Sequence, residues 1–148
     1  GENHWVRTLI DKHHENASLK GVRIVPSCGY DSIPSDIGTF FAVSQFNKPV
    51  KRVELFQEMQ GGASGGTIET AFSMGKLSKE MRDPFLLNPE NSSTEEQRKF
   101  SKDTMRIEKI EELDGWSGMF VMAAGNTRVV RRTAALMEQN QNNFCHSA

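Results

Sequence analysis

The sequence predicts an α/β fold, because helical stretches and short β-rich runs follow one another directly along its 148 residues. Near the N-terminus, apolar residues at helical spacing lead straight into a β-rich run at residues 22–25. Further along, an alternating run at residues 50–59 leads into a glycine-rich turn, and Thr67 opens another helical stretch. The first is half of an α/β unit, and the strand, glycine turn and helix form a second unit.

Charge and cysteine content argue against several classes of protein. The chain has 18 basic and 19 acidic residues, a net charge of -1, so no strong field favours nucleic acid. The two cysteines, Cys28 and Cys145, stand far apart, unlike paired zinc ligands or the dense framework of a small secreted domain. We therefore expect free thiols in an intracellular compartment, no nucleic-acid partner and no metal site.

The first helix is predicted to begin at Asn3, a good capping residue, and to stop at Gly21. Its inner face is expected to comprise Val6, Leu9, Ile10, His13 and Ala17. The neighbours of the strand at residues 22–25 would precede Gly1, so we expect the protein to extend upstream. In the isolated chain this strand should present an exposed edge.

A polar loop at residues 27–36 follows that strand directly, at the position where α/β folds bind ligands. The candidate cleft residues are Cys28, Gly29, Tyr30, Asp31, Ser32, Ser35 and Asp36. An alternative role for Asp31, Ser32 and Ser35 is to cap the N–H groups of the helix that begins near Pro34. That helix, which runs to about Phe46, is apolar nearly all round and is predicted to be buried between layers.

The second unit offers a further set of candidates at its glycine turn, namely Ser64, Gly65, Gly66 and Thr67. Backbone N–H groups at a helix N-terminus form a natural anion site. The alternative is that the glycines only allow the strand at residues 50–59 and the following helix to approach closely.

The last third of the chain begins with a polar segment at residues 88–103, which predicts a mobile loop. Residues 105–113 fit a helix or a strand, and residues 116–123 fit a strand. A helix is predicted to follow, in which Asn126 is a cap or a substrate ligand. Three arginines, of which Arg128 could bind phosphate, are expected to face solvent or another subunit: Arg128, Arg131 and Arg132.

Three blocks of the sequence carry a family resemblance: residues 28–38, 63–67 and 120–136. The first block, CGYDSIPSDIG, is the most specific, and the three blocks keep the order found in the family. They resemble the saccharopine dehydrogenase-like oxidoreductases, a family that includes the bacterial trans-acting enoyl reductases.

The resemblance implies a domain division. Residues 1–27 would be the last helix and strand of a Rossmann-like NAD(P)-binding domain whose glycine-rich fingerprint is missing here. Residues 28–137, including the loop at 88–103, would form an α+β substrate and oligomerisation domain with a mixed sheet. Residues 138–148 would be a frayed polar tail.

The function implied is that of an NAD(P)-dependent oxidoreductase, specifically a reductase of lipid-like acyl or enoyl small molecules. NAD(P)H is expected in the full-length protein, whereas this chain alone should bind no cofactor and should be inactive. The loop at residues 28–36 would then border the nicotinamide and handle a proton during hydride transfer. The alternative is a non-catalytic module for homodimerisation or for docking at a membrane or lipid droplet.

Overall fold

A computed structural model describes residues 3–48, 50–58, 82–101, 107–118, 120 and 122–139. Within these ranges the helices are α1 (Asn3–Leu19), α2 (Ile33–Ser44), α3 (Glu95–Phe100) and α4 (Ala123–Gln139). The strands β1 (Glu108–Ile110) and β2 (Gly115–Ser117) form an antiparallel hairpin. This mixture of helices and a small sheet makes the α/β class plausible, whereas the Rossmann-like description stays a prediction. The helix predicted from Thr67 lies outside the described residues.

Helix α1 ends as predicted, at Gly21. Gly21 has a φ of +64°, and its N–H donates to the carbonyl of Ser18 at 3.1 Å. The N–H of Val22 donates to the carbonyl of Ala17 at 2.9 Å, which completes a Schellman motif. Val6 is buried on the inner face, but His13, which the sequence pattern predicts on the same face, is exposed.

The β-rich run at residues 22–25 has no strand partner among the described residues. Val22, Ile24 and Val25 are 55%, 52% and 70% exposed. Their β-branched side chains favour extended backbone, but a strand also needs a neighbour to receive its hydrogen bonds. The predicted strand is therefore absent from the described part, and the exposed strand edge stays a prediction.

Helix α2 is buried on one face only, so its predicted burial all round is wrong. Ser35, Thr39 and Val43 lie on the face that packs against α4. On the opposite face Ile37 and Phe41 are 50% and 66% exposed. The small polar residues recur at a spacing of four, which brings them onto one side of the helix and turns the large apolar residues outward.

One apolar cluster of the described residues lies at the C-terminal half of this helix pair. Val43, 6% exposed, is its buried member. Around it pack partly buried apolar side chains from three parts of the chain: Phe40, Val50, Val53, Ala134 and Met137. Residues 50–58, predicted to be a strand, form no strand within the described ranges. Their contribution to this core comes from Val50 and Val53, while Leu55 and Phe56 are exposed.

The segment predicted as a loop at residues 88–103 contains α3, which a capping box stabilises. The hydroxyl of Thr94 accepts from the N–H of Gln97 at 3.1 Å, and the Gln97 side chain accepts from the N–H of Thr94 at 2.7 Å. After it, the ambiguous residues 105–113 provide β1 and a 3₁₀ turn, Glu111–Leu113. The strand predicted at residues 116–123 shortens to β2, because α4 already begins at Ala123.

No helix in the described part of the chain is long and apolar enough to cross a membrane.

Candidate functional site

The polar loop before α2 is tied to α4 by a buried side chain, Asn126. Asn126 is 4% exposed, and its Nδ2 donates to the carbonyl of Asp31 at 2.7 Å and to Ser35 Oγ at 3.1 Å. Its Oδ1 accepts from Ser32 Oγ at 3.1 Å. Since Asn126 lies inside α4 and uses both ends of its amide on the loop, the predicted role as a cap of α4 is wrong.

A second connection joins the same two elements through a carboxylate. Thr133 Oγ1 donates to Asp36 Oδ2 at 3.0 Å. Thr133 lies seven positions after Asn126, about two helical turns, so both side chains point from α4 towards α2. The other carboxylate oxygen, Asp36 Oδ1, is buried without a hydrogen-bond partner.

The environment of Asp36 disfavours its charge. Desolvation by burial raises the pKa of Asp36, and the hydrogen bond from Thr133 opposes that effect. Among the described residues, no group of three or more His, Cys, Asp or Glu side chains could hold a metal ion around such a carboxylate. Asp36 is therefore a group that can keep a proton at a higher pH than an ordinary aspartate.

Ser35 links a third segment to this network. Its Oγ accepts from Gln57 Nε2 at 3.2 Å, and its carbonyl accepts from Thr39 Oγ1 at 2.7 Å. Ser35 is 6% exposed, so these partners satisfy polar groups that water does not reach. Sequence reasoning missed Gln57 and Thr133, because no local pattern marks partners that lie 22 and 97 positions away.

The candidate residues divide into a buried base and an exposed rim. Ser32 and Ser35 are buried, and Asp36 is partly buried. Ser32 ends the loop and the other two lie in the first turn of α2, so these three form the base on which the loop rests. The rim is exposed and comprises Cys28, Gly29, Tyr30 and Asp31. Tyr30 is 89% exposed, and Cys28 Sγ donates to the carbonyl of Val25 at 3.1 Å.

The capping alternative is wrong for Ser32. This residue occupies the position before α2, but its side chain makes no capping hydrogen bond and donates to Asn126 instead. The loop is therefore held from α4 by long-range contacts, and its rim remains open to a ligand. The second candidate set, Ser64, Gly65, Gly66 and Thr67, lies outside the described residues.

The predicted outward stripe of arginines on α4 is wrong. Arg128 and Arg131 are 3% and 7% exposed. Arg128 Nη2 donates to the carbonyl of Arg82 at 2.9 Å, and Arg131 Nη1 donates to that of Pro84 at 3.0 Å. Arg132 Nη1 donates to the carbonyl of Leu87 at 2.6 Å. The physical reason is that residues 82–88 supply backbone acceptors which compensate the burial of the guanidinium groups.

We call residues 82–88 the clamped segment, because arginines of two helices donate hydrogen bonds to its carbonyl groups. One further arginine, from α1, adds to the three of α4. Arg7 Nη1 donates to the carbonyls of Leu86 at 3.4 Å and Asn88 at 3.2 Å. Burial lowers the pKa of Arg132, and repulsion from Arg7 lowers it further. The four arginines thus hold a segment with little regular structure against α1 and α4.

Comparison with known proteins finds similarity to trans-acting enoyl reductases. The chain is 34% identical over 154 aligned positions to a trans-acting enoyl reductase of Mycobacterium ulcerans, a match that covers 93% of this chain. It is 32% identical over 157 positions, again 93% of this chain, to trans-acting enoyl reductases of Mycobacterium tuberculosis and Mycobacterium bovis. No model of a known protein family matches the sequence, and no solved structure matches it.

The match covers most of this chain but only part of each relative. The chain spans 36% to 37% of the length of the curated relatives that it matches. The chain is therefore similar, over most of its own length, to a little more than a third of a trans-acting enoyl reductase.

Proposed function

We propose that this chain is part of an NAD(P)-dependent reductase of enoyl substrates, to which it contributes the substrate side around residues 28–36. The observation that carries the proposal is the similarity to trans-acting enoyl reductases over 93% of the chain. The candidate loop supports it, because an exposed rim rests on a buried polar base that fixes its position. The finer assignment to the saccharopine dehydrogenase-like family stays part of the proposal.

Reduction of an enoyl group sets the chemistry that the site has to serve. The carbon–carbon π bond is lost, a hydride adds to the carbon β to the carbonyl, and a proton adds to the α carbon. The described residues do not fit a dinucleotide, because they lack a Gly-x-Gly-x-x-Gly turn, so we place NAD(P)H binding outside them.

The part of the reaction that this chain can serve is substrate orientation and proton handling. Tyr30 and Asp31 lie on the exposed rim, where a substrate carbonyl can reach their polar groups. Asp36, behind them, has a carboxyl group whose pKa is raised by burial, so it keeps a proton to a higher pH than an ordinary aspartate does. Ser32 and Ser35 are committed to Asn126 and are assigned to support of the loop.

The test is an assay of this chain extended to the length of its relatives. With an enoyl thioester, this protein is expected to oxidise NADPH, whereas residues 1–148 alone should neither bind NADPH nor turn over. The saturated thioester of the same length is the control and should cause no oxidation. An extended protein that binds no NADPH and leaves the enoyl thioester intact would contradict the proposal.

One observation favours a second candidate, the docking module. Ile33, Ile37 and Phe41 recur at a spacing of four along the exposed face of α2. In a docking module they would meet a second copy of the chain or a lipid surface. The rival predicts that Phe41→Asp abolishes self-association or binding to lipid droplets in a protein without NADPH affinity. The reductase proposal requires NADPH binding.

A further inference from the structure

We propose that Asn126 is a positioning residue that holds the rim of the substrate loop in its working geometry. The inference rests on the reductase proposal and assigns a role to a side chain that touches the loop but not the substrate. Its basis is the set of three hydrogen bonds that Asn126 makes to Asp31, Ser32 and Ser35.

The amide group is matched to its three partners. An amide carries two donor hydrogens on Nδ2 and accepts on Oδ1. Here the two donors go to a carbonyl and a hydroxyl, while the oxygen receives a hydroxyl proton. An ionised aspartate at this position would have no donor and would face the carbonyl of Asp31 with negative charge. Alanine would leave buried polar groups on the loop without partners.

The contact between Asn126 and the loop lies away from the apolar contacts that pack α2 against α4. The contact at 2.7 Å ends on the backbone of Asp31, next to the exposed Tyr30. The apolar contacts between α2 and α4 gather around Val43 and involve Ala134 and Met137. Ala134 lies eight residues further along α4, about 12 Å by helical rise. Loss of the amide should therefore release the rim while the helix pair stays packed.

Kinetics on the extended protein with NADPH and an enoyl thioester test the role. Asn126→Ala is expected to lower kcat by about 10- to 100-fold, as displaced positioning groups do, with KM for NADPH unchanged. Asn126→Asp should show a similar loss that becomes smaller as pH falls, because a protonated carboxyl regains one donor. The matched control is Thr8→Val, which removes an exposed hydroxyl bonded within α1 and should keep wild-type kinetics.

Hydrogen exchange of the same proteins reports the loop independently of activity. Amides of residues 29–36 should exchange faster in Asn126→Ala, with no change along α1. If Asn126→Ala does not fold, Ser32→Ala removes one of the three bonds and should give a smaller loss of kcat and a smaller local loosening.

The two proposals fail in different ways. An inactive wild-type protein refutes the reductase proposal, and the exchange of residues 29–36 then decides whether Asn126 positions the loop. An active wild-type protein with a folded Asn126→Ala variant that keeps its kcat overturns the positioning role. A lower melting temperature with unchanged kcat and KM would likewise reduce Asn126 to a stabilising contact.

Discussion

Replacement of Arg131 by alanine is expected to lower the free energy of unfolding by about 3 kcal/mol. Arg131 is 7% exposed, and its guanidinium both donates to the carbonyl of Pro84 and lies 5.3 Å from the ring centre of Phe85. Arg98 approaches the same ring at 5.2 Å, so Phe85 lies in contact with two cations. Truncation removes a charged hydrogen bond, a cation–π contact and the packing of the arginine stem.

Chemical denaturation of the variants measures this loss, and the chain offers a matched control. Arg52 forms an ion pair with Glu54, but its side chain is 77% exposed. Arg52→Ala should therefore change the free energy of unfolding by no more than about 0.5 kcal/mol. Arg131→Met, which keeps an apolar stem over Phe85, should fall between the two. Equal losses for Arg131→Ala and Arg52→Ala would show that the clamped segment contributes little to stability.

The second expected result is that the free energy of unfolding falls as pH rises from the ordinary pKa of aspartate to the raised pKa of Asp36. Burial raises the pKa of Asp36 above its ordinary value of 3.8. Between that value and the raised one, the folded state binds more protons than the unfolded state, so the free energy of unfolding falls as pH increases. Above the raised pKa the penalty is constant, at about 1.4 kcal/mol for each unit of pKa difference.

Two substitutions isolate this contribution from those of other acids. Asp36→Asn cannot ionise, so the difference between its stability curve and that of the wild type should contain the whole effect. Thr133→Val removes the hydrogen bond that favours the carboxylate, so the pKa of Asp36 should rise and the loss should extend to higher pH. Asp114→Asn is the control, since Asp114 is 97% exposed. If the curves of Asp36→Asn and wild type run parallel, the carboxyl is not perturbed in the way described.

Local signals in the sequence predict local structure well here. Gly21 ends α1 because glycine adopts a positive φ without steric cost. The sequence predicts this end of the helix, since a glycine is identified directly. The turn formers at residues 27–36 likewise predict a loop before α2, which the structure limits to the residues before Ile33. The capping box around Thr94 was also readable, but the polar composition of residues 88–103 favoured a loop prediction and concealed the short helix α3.

Long-range contacts explain what the sequence could not predict. The sequence predicts that Arg128 and Arg131 form a solvated stripe. No neighbouring residue indicates that their hydrogen-bond acceptors lie 46 and 47 positions away. The apolar residues of α2 predict a helix that is buried nearly all round. In the described part, the buried face of α2 is the one that carries its small polar residues. Asparagine is a common helix cap, so the sequence predicts that role for Asn126. Its hydrogen-bond partners lie 91 to 95 positions earlier in the chain, and only the tertiary structure identifies them. The geometry of the candidate site therefore depends on hydrogen bonds between residues that are too far apart in sequence for a local pattern to predict.

The most direct measurement of the central claim is hydrogen exchange of the extended protein with and without a bound thioester. With NADP⁺ and the saturated thioester present, the account predicts slower exchange at residues 28–36 and no change in α3 or the β1–β2 hairpin. Slower exchange confined to other segments, with residues 28–36 unaffected by a ligand that binds, would contradict the claim that this loop faces the substrate.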